Sequence, residues 1–503
     1  MKRISKKISL ISQNNEDIII HLTDTYFLKE SKIGNEVDLP GFSRIYKIIE
    51  FLSKQKTKQI LFLHSGDFLY PSLLSNYFKG KQMVDILNRC GLNYCTLGNH
   101  DFDGGYEILK KRISESKFKY VVTNLQSPIG FSKNVLQYDV WPKKYPKVAI
   151  LGIAGKMTVD KAKENKFKVK NQRNALENAL LEVKQKWPGV KLLAILSHMS
   201  DVEDAQLKNH LNTIWPHNSI ILGGHDHNQL ISFNKKSEKC LLVKGQSNAR
   251  TLQIIILDNK ISLKSHDMKK NLIILSSKDY EGFPKSTQIE SIIESWFKKL
   301  KKQNKLPDNK IIKKFSKGVI LDGTEVSLRK GTTNFGNFVT DCLKNYTHAD
   351  IAMINSGHFR CDRLFAEKIG VLDLFFTFVM ENRGNIMVTR MTKNECVLFL
   401  KHAYRDKGKG KILQFSKNTL NILKKMKSDE KIAVALISDM VYSNEDGFGN
   451  ILAKNRKISI LKLRKSLEKD IVKDTNLIEG IIKTAHKVNY DPKVRMKVKV
   501  TTY

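Results

Sequence analysis

Nowhere in this sequence do about 18 apolar residues run together, so no helical membrane span is expected. A secretory leader is not expected either. The chain opens on basic residues, Met1-Lys2-Arg3-Ile4-Ser5-Lys6-Lys7. The apolar stretch Ile8 to Ile11 that follows is interrupted by Ser9 and Ser12 and runs into Gln13-Asn14-Asn15, with no small-residue cleavage site. The expectation is a cytoplasmic protein, with export by a signal-independent route left open. Paired cysteines are lacking too. Cys90, Cys95, Cys240, Cys342, Cys361 and Cys396 form no CxxC motif and no dense framework, which argues against a disulfide scaffold and for thiols in a reducing compartment. Acidic residues are scarce, 50 against 87 Lys+Arg, for a formal net charge of +37. A basic surface attracts phosphates, anionic membranes and nucleic acid without choosing among them. Here the excess is spread along a chain also rich in Ile and Asn, so compositional bias is the preferred account. No aromatic-plus-basic motif points to a specific nucleic acid, no internal repeat is present, and nothing specifies an oligomeric state.

What is present reads as globular. An apolar fraction of 41% over 503 residues is more than one ordinary core holds, so at least two domains are expected. The first half alternates apolar runs with helical patterns, the mark of an α/β domain. Strands are expected at Asp17–Leu22, Gln59–His64, Tyr94–Leu97, Tyr120–Thr123, Val148–Ile153, Leu192–Ser197 and Ser219–Gly223. Two more, Lys239–Lys244 and Thr251–Leu257, follow without a helix, so an antiparallel end to the domain is expected. Gly41–Ser53 reads as an amphipathic helix through Phe42, Ile45, Ile48, Ile49 and Leu52. A Lys-rich helix from Thr287 to Lys302 is expected before the break at Asn304-Lys305-Leu306-Pro307-Asp308. The division is then a tail at 1–16, a first domain at 17–268, a linker with a helix at 269–310 and a second domain at 311–503.

Five short stretches place a ligand-type residue at the end of an expected strand. They are Thr23-Asp24-Thr25-Tyr26, Ser65-Gly66-Asp67, Gly98-Asn99-His100-Asp101, Ser197-His198 and Gly224-His225-Asp226-His227. Strand C-termini are where α/β folds assemble sites, since loops converge there on a rigid sheet. Each stretch alone is weak, because an Asp after a strand is usually a turn or cap residue. In order, they supply the carboxylates, imidazoles and oxygen donors that two neighbouring cations need.

With these residues the chain resembles the calcineurin-like metallophosphoesterases, in particular their 5′-nucleotidase branch, from about Ile18 to Met268. The resemblance implies a four-layer αββα sandwich. It also implies two divalent cations (Zn, Mn or Mg, with Fe admitted by Tyr26), bridged by Asp67. Asp24 and His227 would complete one site, and Asn99, His198 and His225 the other. His100 and Asp101 would form a catalytic dyad beside the phosphate. Where the family commonly has Asp-x-His, this chain has Asp24-Thr25-Tyr26. Tyr26 either ligates a metal, or lines the pocket, or leaves a weak first site; lining is preferred.

The second half resembles the 5′-nucleotidase substrate domain, an α+β fold. Arg329–Asn337 is similar to the family's Arg-x-x-Glu-Ser/Thr-Asn-x-Gly-Asn segment, with Thr332 in place of the acid. Asn355-Ser356-Gly357-His358-Phe359-Arg360 is similar to its Asn-x-Gly-x-x-Arg turn, and Asn444–Phe448 to Gly-Gly-Asp-Gly-Tyr. The resemblance implies anion contacts at Arg329 and Arg360, a contact at Asn355 and a ribose acceptor at Asp446. The family's two base-stacking phenylalanines correspond to Met380 and Met440, which lack a rigid stacking plane. The expected activity is hydrolysis of phosphate monoesters, with a nucleotide or other small phosphate ester as partner. Cleavage of cyclic nucleotides or nucleotide-sugars is the alternative, and a basic binding protein on a degenerate phosphatase fold a third reading.

Overall fold

The computed structural model describes residues 16–33, 36–54, 59–128, 133–232, 239–257, 271–303, 307–379, 385–405, 410–442, 446–472 and 477–488. The chain divides into two compact units, Met1–Gln303 and Asn304–Tyr503.

The apolar runs of the first unit become the strands of two stacked sheets. One has seven strands, ordered Leu272–Leu275, Leu252–Leu257, Asp17–Leu22, Ile60–His64, Tyr94–Cys95, Lys119–Val121 and Val135–Leu136. The other has six, ordered Leu230–Ser232, Cys240–Lys244, Asn218–Gly223, Leu192–His198, Val148–Ala154 and Tyr138–Trp141. Side chains alternate across a strand, so these runs serve two faces at once. Ile19, Leu61, Leu63, Val148, Ile150, Leu192 and Ile220 meet in the layer between the sheets. Ala149, Leu151, Leu193 and Ile195 face the other way, onto Leu176, Leu180, Leu207 and Leu211 of helices Gln172–Lys186 and Asp201–Ile214. Helix Gly41–Ser53 buries Phe42, Ile45, Ile48 and Leu52, as its period requires. The αββα sandwich expected from the resemblance is the architecture observed.

The antiparallel end is only half as expected. Leu252–Leu257 runs antiparallel to Asp17–Leu22. Cys240–Lys244, however, lies parallel to Asn218–Gly223. The short edge strand Leu230–Ser232 pairs antiparallel with it and turns the chain once more. Part of the expected linker at 269–310 is structural as well. Leu272–Leu275 pairs with Leu252–Leu257. Helix Thr287–Lys302, capped by Ser286, is fastened to the first unit: Ser43 Oγ donates to Glu290 (2.8 Å) and Trp296 Nε1 to Asp85 (3.1 Å).

The second unit is α+β. Its four-stranded mixed sheet is ordered Ile386–Thr392, Lys431–Ile437, Ile351–Asn355 and Leu413–Phe415. Helices Asn334–Thr347, Lys393–Arg405 and Leu477–Thr484 close a core containing Phe335, Phe338, Met353, Phe399, Leu436 and Ile481. All six cysteines are buried and outside disulfides. Among the described residues, no helix is long and apolar enough to cross a membrane.

Candidate metal centre

Both sheets of the first unit deliver their strand ends to one place. Asp24 follows Asp17–Leu22, Asp67 follows Ile60–His64, and Asn99 and His100 follow Tyr94–Cys95. From the second sheet come His198, at the end of its own strand, and His225 and His227 after Asn218–Gly223. Four of these residues hold left-handed backbone: Asp24 (φ 49°), Asp67 (φ 57°), His225 (φ 82°) and His227 (φ 62°). Such conformations are uncommon outside glycine and gather where a site dictates side-chain direction. Gly98 is needed for space. A β-carbon there would stand 2.1 Å from Asp67 Oδ1 and 2.7 Å from His198 Cε1.

The donor atoms converge. Ligand atoms of Asp24, Asp67 and His198 lie within 4.8 Å of one another, the one such metal-type group among the described residues. His198 Nε2 is 3.2 Å from Asp67 Oδ2 and 4.0 Å from Asp24 Oδ1. His227 Nε2 is 3.2 Å from Asp24 Oδ1. His225 Nδ1 is 3.1 Å from Asn99 Oδ1. His198 donates from Nδ1 to the Ser65 carbonyl (2.7 Å), which leaves Nε2 to face the carboxylates.

The electrostatics are those of a cation site. Burial alone would raise both aspartates, yet Asp24 is held far below the carboxylate range by His227 and His198, and Asp67 below it by His198 and His100. Burial alone would lower His198, but Asp67 and Asp24 pull it up to about 10. Burial, then the neighbouring His198, pushes His225 down to about 4, keeping it neutral and able to donate a lone pair. The pair of buried carboxylates thus asks for positive charge, and His198 Nε2 holds a proton where a metal ion would take its place.

The expected His100–Asp101 dyad is corrected by the structure. Asp101 accepts four backbone N–H groups, from Asp67 (2.9 Å), Phe68 (3.0 Å), Leu69 (2.9 Å) and Gly98 (2.9 Å). It is the buckle of the Asp67 and Asn99 loops, with burial first and then Asp67 pushing its pKa up to about 6. His100 Nδ1 pairs instead with Asp103 Oδ2 at 2.8 Å. Asp103, three residues on, caps the 3₁₀ turn His100–Phe102, a geometry in which positions i and i+3 eclipse. That spacing in His100-Asp101-Phe102-Asp103 was the available signal for a partner that sequence reasoning missed.

In the second unit, Asn355 and Asp446 come together: Asn355 Nδ2 donates to Asp446 Oδ2. Two histidines that sequence reasoning passed over join them. His358 Nδ1 lies 2.5 Å from Asn355 Oδ1, and His402 Nε2 2.6 Å from the Asp446 carbonyl. Arg360 is half-buried, its backbone N–H donating to the Thr377 carbonyl. Arg329 pairs with Glu325 one helical turn earlier (2.5 Å), so part of its fork is engaged within the protein. Thr332 contacts Tyr404 and the Leu413 carbonyl, a structural use of the position where the family has an acid. Met440 is corrected: it is 2% exposed and belongs to the hydrophobic core, so it presents no stacking surface. Met380 lies outside the described residues.

A model of the calcineurin-like phosphoesterases matches residues 18–229, and one of the 5′-nucleotidase C-terminal domain matches residues 312–440. The chain is 30% identical over 225 residues to the NAD 5′-nucleotidase of Haemophilus influenzae, covering 41% of this chain and 36% of that protein. It is 22% identical over 359 residues to a human 5′-nucleotidase, covering 64% and 58%. These alignments thus span less than two thirds of each curated relative's length. In fold it resembles the 5′-nucleotidase precursor from Thermus thermophilus, with a TM-score of 0.70 at 18% identity over 93% of this chain and 96% of that one. The two matches fall one on each unit, and the chain belongs to the calcineurin-like phosphoesterases that carry a 5′-nucleotidase C-terminal domain.

Proposed function

We propose that this chain is a metal-dependent hydrolase of phosphate monoesters, with nucleotides as its substrates and two divalent cations as its cofactors. The observation that carries the reading is the buried Asp24–Asp67–His198 group beside the His100–Asp103 pair. Bound, the cations would activate water near neutral pH and neutralise the phosphoryl oxygens. Asp24, Asp67 and His227 would hold one, and Asp67, Asn99, His198 and His225 the other. The donor set fits, since carboxylates, an amide oxygen and imidazoles suit Zn, Mn, Mg or Fe.

The chain's own residues do the rest. The His100 backbone N–H donates to Asp67 Oδ1 (2.8 Å), so the shared carboxylate is aimed by the residue that serves the phosphate. Asp103 accepts from His100 Nδ1, which fixes the ring and leaves the second nitrogen to stabilise phosphoryl charge or protonate the leaving oxygen. Asp101 holds the two loops in register through its four N–H bonds.

Phosphate release for the nucleoside phosphates, with chromatography of the nucleotide products for the diesters, which free no inorganic phosphate when cut, tests the reading. After exhaustive chelation the protein is offered nucleoside mono-, di- and triphosphates, cyclic nucleotides and nucleotide-sugars, with Mn²⁺, Zn²⁺, Mg²⁺ and Fe²⁺ added back separately. Chelation is expected to abolish release and a divalent metal to restore it, with nucleoside monophosphates ahead of the cyclic and sugar-linked diesters. Full activity in the chelated protein, or diesters outrunning monoesters, would overturn the proposal.

A further inference from the structure

The Tyr26 hydroxyl sits among the donors of the first site. It lies 3.1 Å from His227 Nε2, 3.3 Å from Asp67 Oδ2 and 3.4 Å from Asp24 Oδ1. Asp24 Oδ1 and His227 Nε2 are themselves 3.2 Å apart. The His227 contact is of ordinary hydrogen-bond length, but as hydrogen bonds the two carboxylate contacts are poor. A phenol has one proton to give, and here it faces two carboxylates at distances well beyond the usual ~2.7–2.8 Å between hydroxyl and oxygen. As the edges of a coordination sphere they are ordinary. Donors about 2.0–2.1 Å from one cation stand about 3.3–3.4 Å apart when tetrahedral and about 2.9 Å apart when octahedral.

Tyr26 is also fixed in place from behind. Its backbone N–H donates to Asn248 Oδ1 (3.0 Å), and the Asn248 N–H donates to the Asp24 carbonyl (2.8 Å). Asn248 adopts left-handed backbone (φ 56°) to make this double clasp. The Tyr26 ring lies edge-on to His100, with centroids 6.4 Å apart. The residue is 5% exposed, so its oxygen is directed inward.

We infer that Tyr26 is a direct ligand of the first metal, binding through its phenolate oxygen beside Asp24, Asp67 and His227. The sequence alone favours a pocket-lining role; the four donor separations reverse that preference. On coordination the O–H bond breaks, the proton leaves to solvent and the oxygen–metal bond forms. Three anionic oxygens and one imidazole make a harder site than a histidine in Tyr26's place would. The first site is therefore tilted toward iron or manganese over zinc.

The inference rests on the metal centre proposed above, and iron serves as the probe because iron phenolates absorb in the visible. The chelated full-length protein is reloaded with iron in air, and both the absorption spectrum and bound metal per chain are read. A phenolate-to-iron band is expected in the wild type, with tyrosine ring modes enhanced in its resonance Raman spectrum. Tyr26→Phe should lose the band and weaken the first metal equivalent at least tenfold. Tyr26→His should lose the band yet bind zinc more tightly than the wild type. Two bound equivalents without a band, or a band that survives in Tyr26→Phe, would overturn this inference and leave the proposed function standing. A wild type that binds no metal at all would overturn both.

Discussion

Lys244 Nζ lies 3.2 Å from Asp226 Oδ2, joining a fully buried ammonium to the residue between His225 and His227. The same nitrogen meets Asp201 Oδ1 (2.8 Å), Asp204 Oδ2 (3.0 Å) and the Met199 carbonyl (2.9 Å), the last just after His198. One cation thus ties three histidine-bearing positions to helix Asp201–Ile214.

Removing that cation leaves three carboxylates facing one another. Lys244→Met is expected to cost about 3–5 kcal/mol of stability, the scale of breaking a buried pair. It should also lower metal occupancy, because His198, His225 and His227 lose their common anchor. The loss should shrink on acidification. Burial already raises Asp204 to about 6, against Lys244's opposing pull. A raised carboxyl costs stability in full above its folded pKa, and the cost falls away as pH drops toward the ordinary carboxylate value. Without Lys244 the Asp204 pKa rises further, and melting temperatures of the variant and wild type should converge between about pH 7 and about pH 5. A constant gap across that range would refute the account.

The two aspartates near His100 should separate cleanly. Asp103→Asn is expected to leave metal content unchanged while lowering kcat roughly tenfold to a hundredfold, since the orientation and proton supply of His100 are touched and the fold's buried N–H groups are not. Asp101→Asn should instead destabilise the fold by about 1–3 kcal/mol, the cost of leaving buried N–H groups without a full acceptor, and loosen metal binding through Asp67. Stability curves, metal analysis and kcat on both variants decide it; equal loss of kcat with equal stability would restore Asp101 to the dyad.

Most of the first unit could be read from the sequence because its strands are nearly continuous apolar runs serving two buried faces. The gathering of Asp24, Asp67, Asn99, His198, His225 and His227 could be anticipated because ligand-type residues sit at the ends of those runs. What escaped depends on three-dimensional turns. Asp103 outcompetes Asp101 only because a 3₁₀ turn stacks positions i and i+3, while the Asp101 carboxylate folds inward onto N–H groups of a loop more than thirty residues away. The strand Leu230–Ser232, three residues long, is too short to show a period, and so the parallel setting of Cys240–Lys244 was invisible. Met440 matched an aligned position, yet alignment says nothing of which way a side chain points, and here it points into the core. Lys244 reads as one lysine among many until helix Asp201–Ile214 brings Asp201 and Asp204, and the turn after Asn218–Gly223 brings Asp226, to its side.

Asp67→Ala should abolish metal-dependent hydrolysis, because its Oδ2 meets both His198 (3.2 Å) and Tyr26 (3.3 Å), an oxygen placed to serve both of the proposed cations. His198→Ala and His225→Ala are expected to lose the second equivalent selectively, retaining the first. Metal titrations of the three chelated variants check the assignment. Full activity and unchanged stoichiometry in Asp67→Ala would rule out a shared site.

Arg360 provides the sharpest test of the second unit. It closes the turn that opens on Asn355, the residue whose amide holds Asp446. Its counterpart Arg329 is paired with Glu325, so Arg329→Ala disturbs an internal ion pair. A guanidinium suits a phosphate or carboxylate through two parallel donors, and losing such a contact costs about 1.5–3 kcal/mol. Arg360→Ala should therefore raise KM for nucleotides by roughly one to two orders of magnitude. Hydrolysis of p-nitrophenyl phosphate should stay within about twofold, since a small ester draws on the metal-site residues without the binding energy of a nucleoside. Arg329→Ala should raise KM less, and by routes that also lower the melting temperature. With Met440 in the core and no rigid stacking plane from that residue, base tolerance should be broad, within about tenfold between adenine and pyrimidine substrates. Equal damage by Arg360→Ala to both substrate classes would make this arginine a support of the fold, and a preference above about a thousandfold for one base would mean that a polar contact reads it.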